Sequence, residues 1–442
     1  MTRRTPRRSI AVSASALAVA IGLMTAACGT AATSASGSAP GATITLSFLS
    51  YNYGTPDLGG QGTQELINAF EAANPTIKIK PQGVPVADAL TEAQTETAAG
   101  DPPDVAQIGW SKMAAAYRAL PVTAVQDIPT AAQWGAATVG MSQPLLRAVE
   151  ANGKVVAMPY TISTPTLFYN ATLFEKAGLN PADPPATVAE AQRDGLAIAK
   201  TGGSGVYFDI ADAAKSDFLT QSIIDANGGS EISPSGQPNV DQPAAVAALA
   251  AMRELTTSGA QPAVSEADAI AAFDAGKLGM LVTSTAVLAG IESAAQGKFD
   301  LRTAAMPGFA GKPAHTTFSG AGLVVLAKDK AHQQAAWQFI KFLTSAEGFT
   351  IITSKIGYLP LRPAIVTDPR YLGAYFRKDP RIGPALKQLD EVTPYAFFSG
   401  AQAAQAVATL QDDAVQPIVF AGASPASTLT GVTRQIQSML SQ

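Results

Sequence analysis

Residues 42–51 read ATITLSFLSY, a near-alternation of β-favouring and small polar residues that predicts an opening strand. Residues 64–73 (QELINAFEAA) follow with Leu66, Ile67 and Phe70 at helical spacing, and the pattern stops at Asn74-Pro75. A second short strand is expected at 77–81, a helix at 87–99 ended by Gly100, and a third strand at 105–109. Strand, helix, strand, helix, strand in that order dictates an α/β fold with a parallel sheet, whose ligand crevice lies at the carboxyl ends of the strands.

Outward from this stretch the alternation continues. Strands are expected at 155–159, 205–210, 278–283 and 323–327, with helices after Thr172, from Thr187, and at 244–258, 267–275 and 332–344. The last hundred or so residues read as helical, with turns at Gly357-Tyr358-Leu359-Pro360 and at 422–425. About 400 residues are too many for one ordinary core and suit two lobes.

At the N-terminus Arg3, Arg4, Arg7 and Arg8 precede an uncharged, mostly apolar stretch from Ile10 to Ala27 and then Cys28, the only cysteine. This is the order of an export signal, expected at 1–27. Thr25-Ala26-Ala27-Cys28 puts small residues before a thiol that can carry lipid, although Thr25 stands where a lipobox usually has Leu. An uncleaved membrane anchor is the alternative, and both readings send the rest of the chain outward. Arg7-Arg8 also permits twin-arginine export. Residues 28–41, rich in Gly, Ala, Ser, Thr and Pro, read as a flexible tether, which places the protein on the outer face of the cell membrane as a lipoprotein.

A net charge of −4 and a pI near 5.4 offer nothing to a polyanion, so nucleic acid is not an expected partner. G-x-S-x-G, H-E-x-x-H, C-x-x-C and phosphate-loop patterns are absent from the sequence. Of the two histidines, His332 reads as a solvated residue near a helix start and His315 as an exposed loop residue. Asp412 and Asp413 are adjacent on a helix and face different directions, a poor acid–base pair. No cofactor and no metal are expected.

Residues 159–179 (PYTISTPTLFYNATLFEKAGL) resemble the family-1 extracellular solute-binding proteins of ABC transporters, in the branch of glycerol-3-phosphate-binding and maltose-binding proteins. GDPPDV at 100–105, FDAGKLGM at 273–280, FSGAGLVVL at 318–326, the helix at 337–343 and GYLP at 357–360 match family landmarks in the same order. The resemblance implies a two-lobed periplasmic-binding-protein-like fold of type II. Each lobe has a mixed sheet flanked by helices, with the ligand cleft between lobes that close by a hinge. It further implies a first lobe of 42–158 plus 284–327 and a second of 159–283 plus 328–442. A monomer serving ABC permease subunits, and touching the membrane only through its lipid anchor, is the expected assembly.

The same resemblance assigns ligand contacts to Ser163 or Thr164, Ser284 or Thr285, Gly320 and Tyr358, whose hydroxyls and exposed backbone N–H suit a polyol. Trp110 stands where the family has an acidic residue and could lay a flat face against a sugar ring, with core packing as the alternative. Phe218, near a family tryptophan position, and Tyr53 are further candidates of the same kind. Val407 falls where the family has a phosphate-reading arginine, and no basic residue lies between Val392 and Asp413. Lys112 and Arg362, the basic residues nearest the expected cleft, read as solvated, and Trp337 as core. The implied function is capture of a saccharide or polyol without chemistry. Glycerol-3-phosphate or a glycerophosphodiester as ligand, an exported carbohydrate-active hydrolase using two carboxylates, and a purely structural lipoprotein stand as alternatives.

Overall fold

β1 (Ile44–Ser50), β2 (Ile77–Gly83) and β3 (Val105–Gly109) form the parallel core predicted from the opening stretch, with β1 paired in parallel to both neighbours. The computed structural model describes residues 43–54, 59–151, 153–211, 217–312, 315–393 and 395–441. The export signal, Cys28 and the tether lie outside the described residues.

Two further strands complete the first sheet: β4 (Met158–Ser163) and a late strand, Ser319–Val325, which enters between β3 and β4 and runs antiparallel to both. The second sheet contains β5 (Pro165–Asn170), β6 (Ser204–Phe208), β7 (Leu278–Ser284) and β8 (Leu301–Ala305), in the order β8-β5-β7-β6. With these placed, Ser319–Val325 is β9. A single residue, Thr164, separates β4 in one sheet from β5 in the other. The chain crosses again between β7 and the helix Leu288–Ala295, returns between that helix and β8, and crosses once more between β8 and β9.

The lobe boundaries differ from those the resemblance implied. β4 belongs to the first sheet and β8 to the second, so the first crossing falls at Thr164 rather than after Met158. The helices Lys330–Leu343 and Ala346–Lys355 pack on the first lobe rather than the second. The reason is their apolar stripe: Trp337, Phe339, Ile340 and Leu343 are buried, and Phe339 meets Phe48 of β1 at 5.2 Å and Phe70 at 4.9 Å between ring centroids. Each such side chain contributes about 1.5–3 kcal/mol on burial, and the uncovered face of the first sheet is where that burial is available. The second lobe has its own core, in which Phe208, Met280 and Val282 of the sheet cluster with Leu249, Ile418 and Ile436 from three helices.

The local signals for elements were accurate where chemistry was explicit. Thr187 caps the helix Val188–Ala199 in a reciprocal capping box with Glu190. The strand expected at 323–327 begins four residues earlier, at Ser319, because Gly320 and Gly322 pair in the ladder with β4. Among the described residues no helix is long and apolar enough to cross a membrane.

Candidate functional site

The register brings one edge of each sheet to the crossing. Gly109 at the carboxyl end of β3 opposes Ala321, Ser163 at the end of β4 opposes Ser319, and in the second sheet Pro165 opposes Ser284. The carboxyl ends of β1, β3, β4 and β7 therefore converge with the amino end of β9, which is the crevice position for an α/β sheet.

At that edge the first lobe carries a buried, neutral hydrogen-bonding network. Ser50 donates its hydroxyl to Gln107 Oε1 at 2.7 Å, and Gln107 Nε2 donates to Asn52 Oδ1 at 2.6 Å. Tyr358 lies in hydrogen-bonding reach of Tyr51 and Asn52, and Tyr51 of Thr161. Burial pushes the Tyr51 phenol up to about 12 and raises Tyr160 and Tyr358 as well, so all three act as neutral O–H groups. Tyr160 Oη is buried with no hydrogen-bond partner among the described residues. A buried hydroxyl left so costs stability unless a water or a ligand satisfies it.

Gly320 lies within this wall at φ 131°, and a Cβ there would sit 2.0 Å from the Thr161 carbonyl oxygen. Only glycine fits there, and the register between β4 and β9 shifts just beyond it, between Ala321 and Gly322. Tyr358 is 2 % exposed and is held by the turn after Gly357, whose φ is 109° and whose Cβ position is blocked by the Thr285 carbonyl.

The remaining expected contacts fall in different places. Ser163 is buried at the end of β4, against the network. Thr164 and Thr285 bind each other instead: the Thr164 N–H donates to Thr285 Oγ1 at 3.3 Å and the Thr285 N–H to the Thr164 carbonyl at 3.1 Å. They brace the crossing. Ser284, half-buried, accepts the Ala286 N–H and caps the turn after β7. The Tyr53 hydroxyl stands outside the network, donating to Gln64 Oε1 at 3.2 Å, whereas its neighbours Tyr51 and Asn52 belong to it.

Trp110 needs correction. It is 1 % exposed, its indole N–H donates to the Thr161 carbonyl at 3.3 Å, and its ring meets Phe318 edge-on at 5.8 Å. With both faces enclosed it supports the wall of the network rather than offering a shelf. Phe218 is likewise core, buried at the start of the helix Phe218–Ala226. Val407 is buried in the second core. Trp337 is core as expected and packs against Trp134, whereas Arg362 is no solvated bystander: its guanidinium donates to the carbonyls of Thr344, Val139 and Ala137. Lys112 Nζ donates to the Ala87 carbonyl. Among the described residues no group of acids, histidines or cysteines forms a metal site.

Tyr51, Asn52, Gln107, Tyr160 and Thr161 were not among the residues expected from sequence. The carboxyl-edge rule, applied to the ends of β1, β3 and β4, is the signal that finds them.

The profile of the bacterial extracellular solute-binding protein family matches residues 65–382. The chain is similar to the sn-glycerol-3-phosphate-binding periplasmic protein UgpB of Salmonella typhimurium, at 30 % identity over 263 residues covering 56 % of this chain and 58 % of the relative. The same protein of Escherichia coli K12 is 27 % identical over 260 residues, with the same two coverages. The chain thus spans little more than half the length of these relatives. Its fold is similar to the crystal structure of UgpB from Mycobacterium tuberculosis in complex with glycerophosphocholine, with a TM-score of 0.77 and 25 % identity over 90 % of this chain and 99 % of that one. Maltose-bound MalE3 of T. maritima shares the fold alone, with a TM-score of 0.75 at 19 % identity over 90 % of this chain and all of that one. A family profile that matches most of the chain makes it a member of the bacterial extracellular solute-binding proteins.

Proposed function

We propose that the protein captures a small neutral polyol or saccharide between its lobes and hands it to the permease of an ABC importer, without chemistry on the ligand. The observation that carries this reading is the network at the first-sheet edge. The buried Tyr160 hydroxyl has no partner there, the phenols are neutral, and among the described residues no lysine or arginine side chain joins these hydrogen bonds. Such a surface pairs with ligand hydroxyls, whereas a doubly charged phosphate requires convergent charged donors. Ser163, Gly320 and Tyr358 line the same wall, with Ser284 across the crossing.

A second reading, glycerol-3-phosphate or a glycerophosphodiester, is favoured by the similarity to the UgpB proteins. Burial of Val407 at the family's arginine position opposes it. The hydrolase alternative requires two carboxylates open to water at the site, and the neutral network supplies none. Lipidation at Cys28, export by the preceding signal and a monomeric state complete the proposal.

Thermal unfolding of the folded unit Thr43–Gln442 against mono- and disaccharides, polyols, glycerol-3-phosphate and glycerophosphocholine tests it. A ligand at a hundredfold its Kd adds about 2.7 kcal/mol and raises the midpoint. Stabilisation by a neutral ligand that is recovered unchanged is the expected result. Stabilisation by phosphorylated glycerols alone would transfer the assignment to the second reading, and ligand turnover would refute pure binding.

A further inference from the structure

The short helix Gly383–Gln388 packs on β5 and β8 of the second sheet, and its last side chain, half-buried, reaches two places where the chain passes between lobes. At the first crossing Gln388 Nε2 donates to the Pro165 carbonyl at 2.8 Å and to Thr164 Oγ1 at 3.3 Å. At the start of the β8–β9 crossing Gln388 Oε1 accepts the Met306 N–H at 3.2 Å. A backbone carbonyl only accepts and a backbone N–H only donates, so these partners fix the orientation of the amide and commit both of its protons. Glutamate would lack the donor, and leucine would lack donor and acceptor alike.

The crossings held in this way carry the proposed ligand contacts. Thr164 directly follows Ser163, and Pro165 stands opposite Ser284 in the β5–β7 ladder. Because Thr164 and Thr285 bind each other, the Gln388 amide is joined through Thr164 to the crossing after β7 as well. The helix itself is seated independently of Gln388. The Thr164 hydroxyl donates to the Ala385 carbonyl at 3.5 Å, and the Thr303 hydroxyl of β8 donates to the Arg381 carbonyl. The Arg381 guanidinium stands 3.3 Å from the Glu292 carboxyl on the helix Leu288–Ala295, beyond the β7 crossing.

We propose that Gln388 is a positioning residue for ligand capture: its amide couples the crossing at Thr164 to the one at Met306, so that the lobes swing about one axis and bring Ser163 and Ser284 to the ligand together. This rests on the capture reading above. Gln388 acts through Thr164, Pro165 and Met306 and is assigned no ligand contact of its own. Hinges absorb closure in a few residues at the ends of elements, and a side chain that ties two such places limits the orientations open to the lobes. A protein whose competent orientation is only partly populated binds more weakly in proportion.

The test reads the hinge without a ligand. In the folded unit Thr43–Gln442, spin labels at Arg118→Cys on the first-lobe helix Trp110–Ala119 and at Lys200→Cys, which ends the second-lobe helix Val188–Ala199, report the spread of lobe separations. Both positions are exposed. The wild type should give a narrow distribution at about pH 8 and at about pH 4, on either side of the ordinary glutamate range, and Gln388→Leu a broad one at both. Gln388→Glu discriminates. As a carboxylate it offers the Pro165 carbonyl no donor and should be broad at the higher pH, and as a carboxylic acid it regains the donor and should narrow to the wild-type distribution at the lower. Glu292 titrates in the same interval in every variant, so each is compared with the wild type at the same pH. A Gln388→Leu distribution as narrow as the wild type, or a Gln388→Glu distribution indifferent to pH, overturns the proposal; if the leucine variant does not fold, the glutamate variant decides alone. Titration with mono- and disaccharides and polyols keeps the two readings apart. A saccharide or polyol that the wild type binds should bind Gln388→Leu about threefold to tenfold more weakly, the worth of one hydrogen bond, and unchanged affinity overturns the positioning role. A wild type that binds none of them overturns capture, while the lobe measurement still decides whether Gln388 couples the crossings.

Discussion

Replacing Gly320 by alanine is the sharpest perturbation of the wall between β4 and β9. The new Cβ would lie 2.0 Å from the Thr161 carbonyl oxygen, 2.6 Å from its carbon and 3.0 Å from Ile162 Cα. All three are backbone atoms of a buried strand, so no side chain can swing aside. The φ of 131° adds a conformation that L-residues avoid, costing about 1–3 kcal/mol, and overpacking adds about 1–3 kcal/mol. Together these give a loss of about 2–6 kcal/mol in urea-induced unfolding, read as a lower midpoint at unchanged slope. Gly135→Ala is the control, because nothing lies within 4 Å of its Cβ position in the helix Ala131–Thr138, and it should be neutral or stabilise by up to about 1 kcal/mol. A Gly320→Ala protein within about 1 kcal/mol of the wild type would refute the close approach on which the site geometry rests.

Tyr160→Phe removes a buried hydroxyl that has no protein partner, so the ligand-free protein should lose less than about 1 kcal/mol while ligand-induced stabilisation weakens; a large loss of stability with unchanged binding would mean that the hydroxyl serves the fold. Arg362→Met leaves three carbonyl oxygens near helix ends without their cation and should cost about 2–3 kcal/mol in denaturant unfolding. Desolvation lifts the Glu292 carboxyl to about 7 despite Arg381 beside it. Its contribution is therefore present below the ordinary glutamate value and lost as pH rises towards 7, and Glu292→Gln should flatten the stability profile over that window.

Much of the fold was legible because its signals are local. The parallel β1–β3 core followed from periodicity and from the stops at Asn74-Pro75 and Gly100, and the Thr187 start from its capping chemistry. The lobe to which Lys330–Leu343 belongs was not legible, since an amphipathic stripe states that a face is buried but not against which sheet. The site divided in the same way. Gly320 and Tyr358 fall at the edge that the family pattern marks, whereas Trp110 looked like a shelf because position along a strand does not reveal what covers both faces of a ring.

The most direct test of the central reading is calorimetric titration of the mature protein with neutral saccharides and polyols, and in parallel with glycerol-3-phosphate and glycerophosphocholine. The account predicts one-to-one binding of a neutral ligand, weakened in Tyr160→Phe, with the ligand recovered intact. Binding confined to the phosphorylated glycerols, unaffected by Tyr160→Phe, would contradict it.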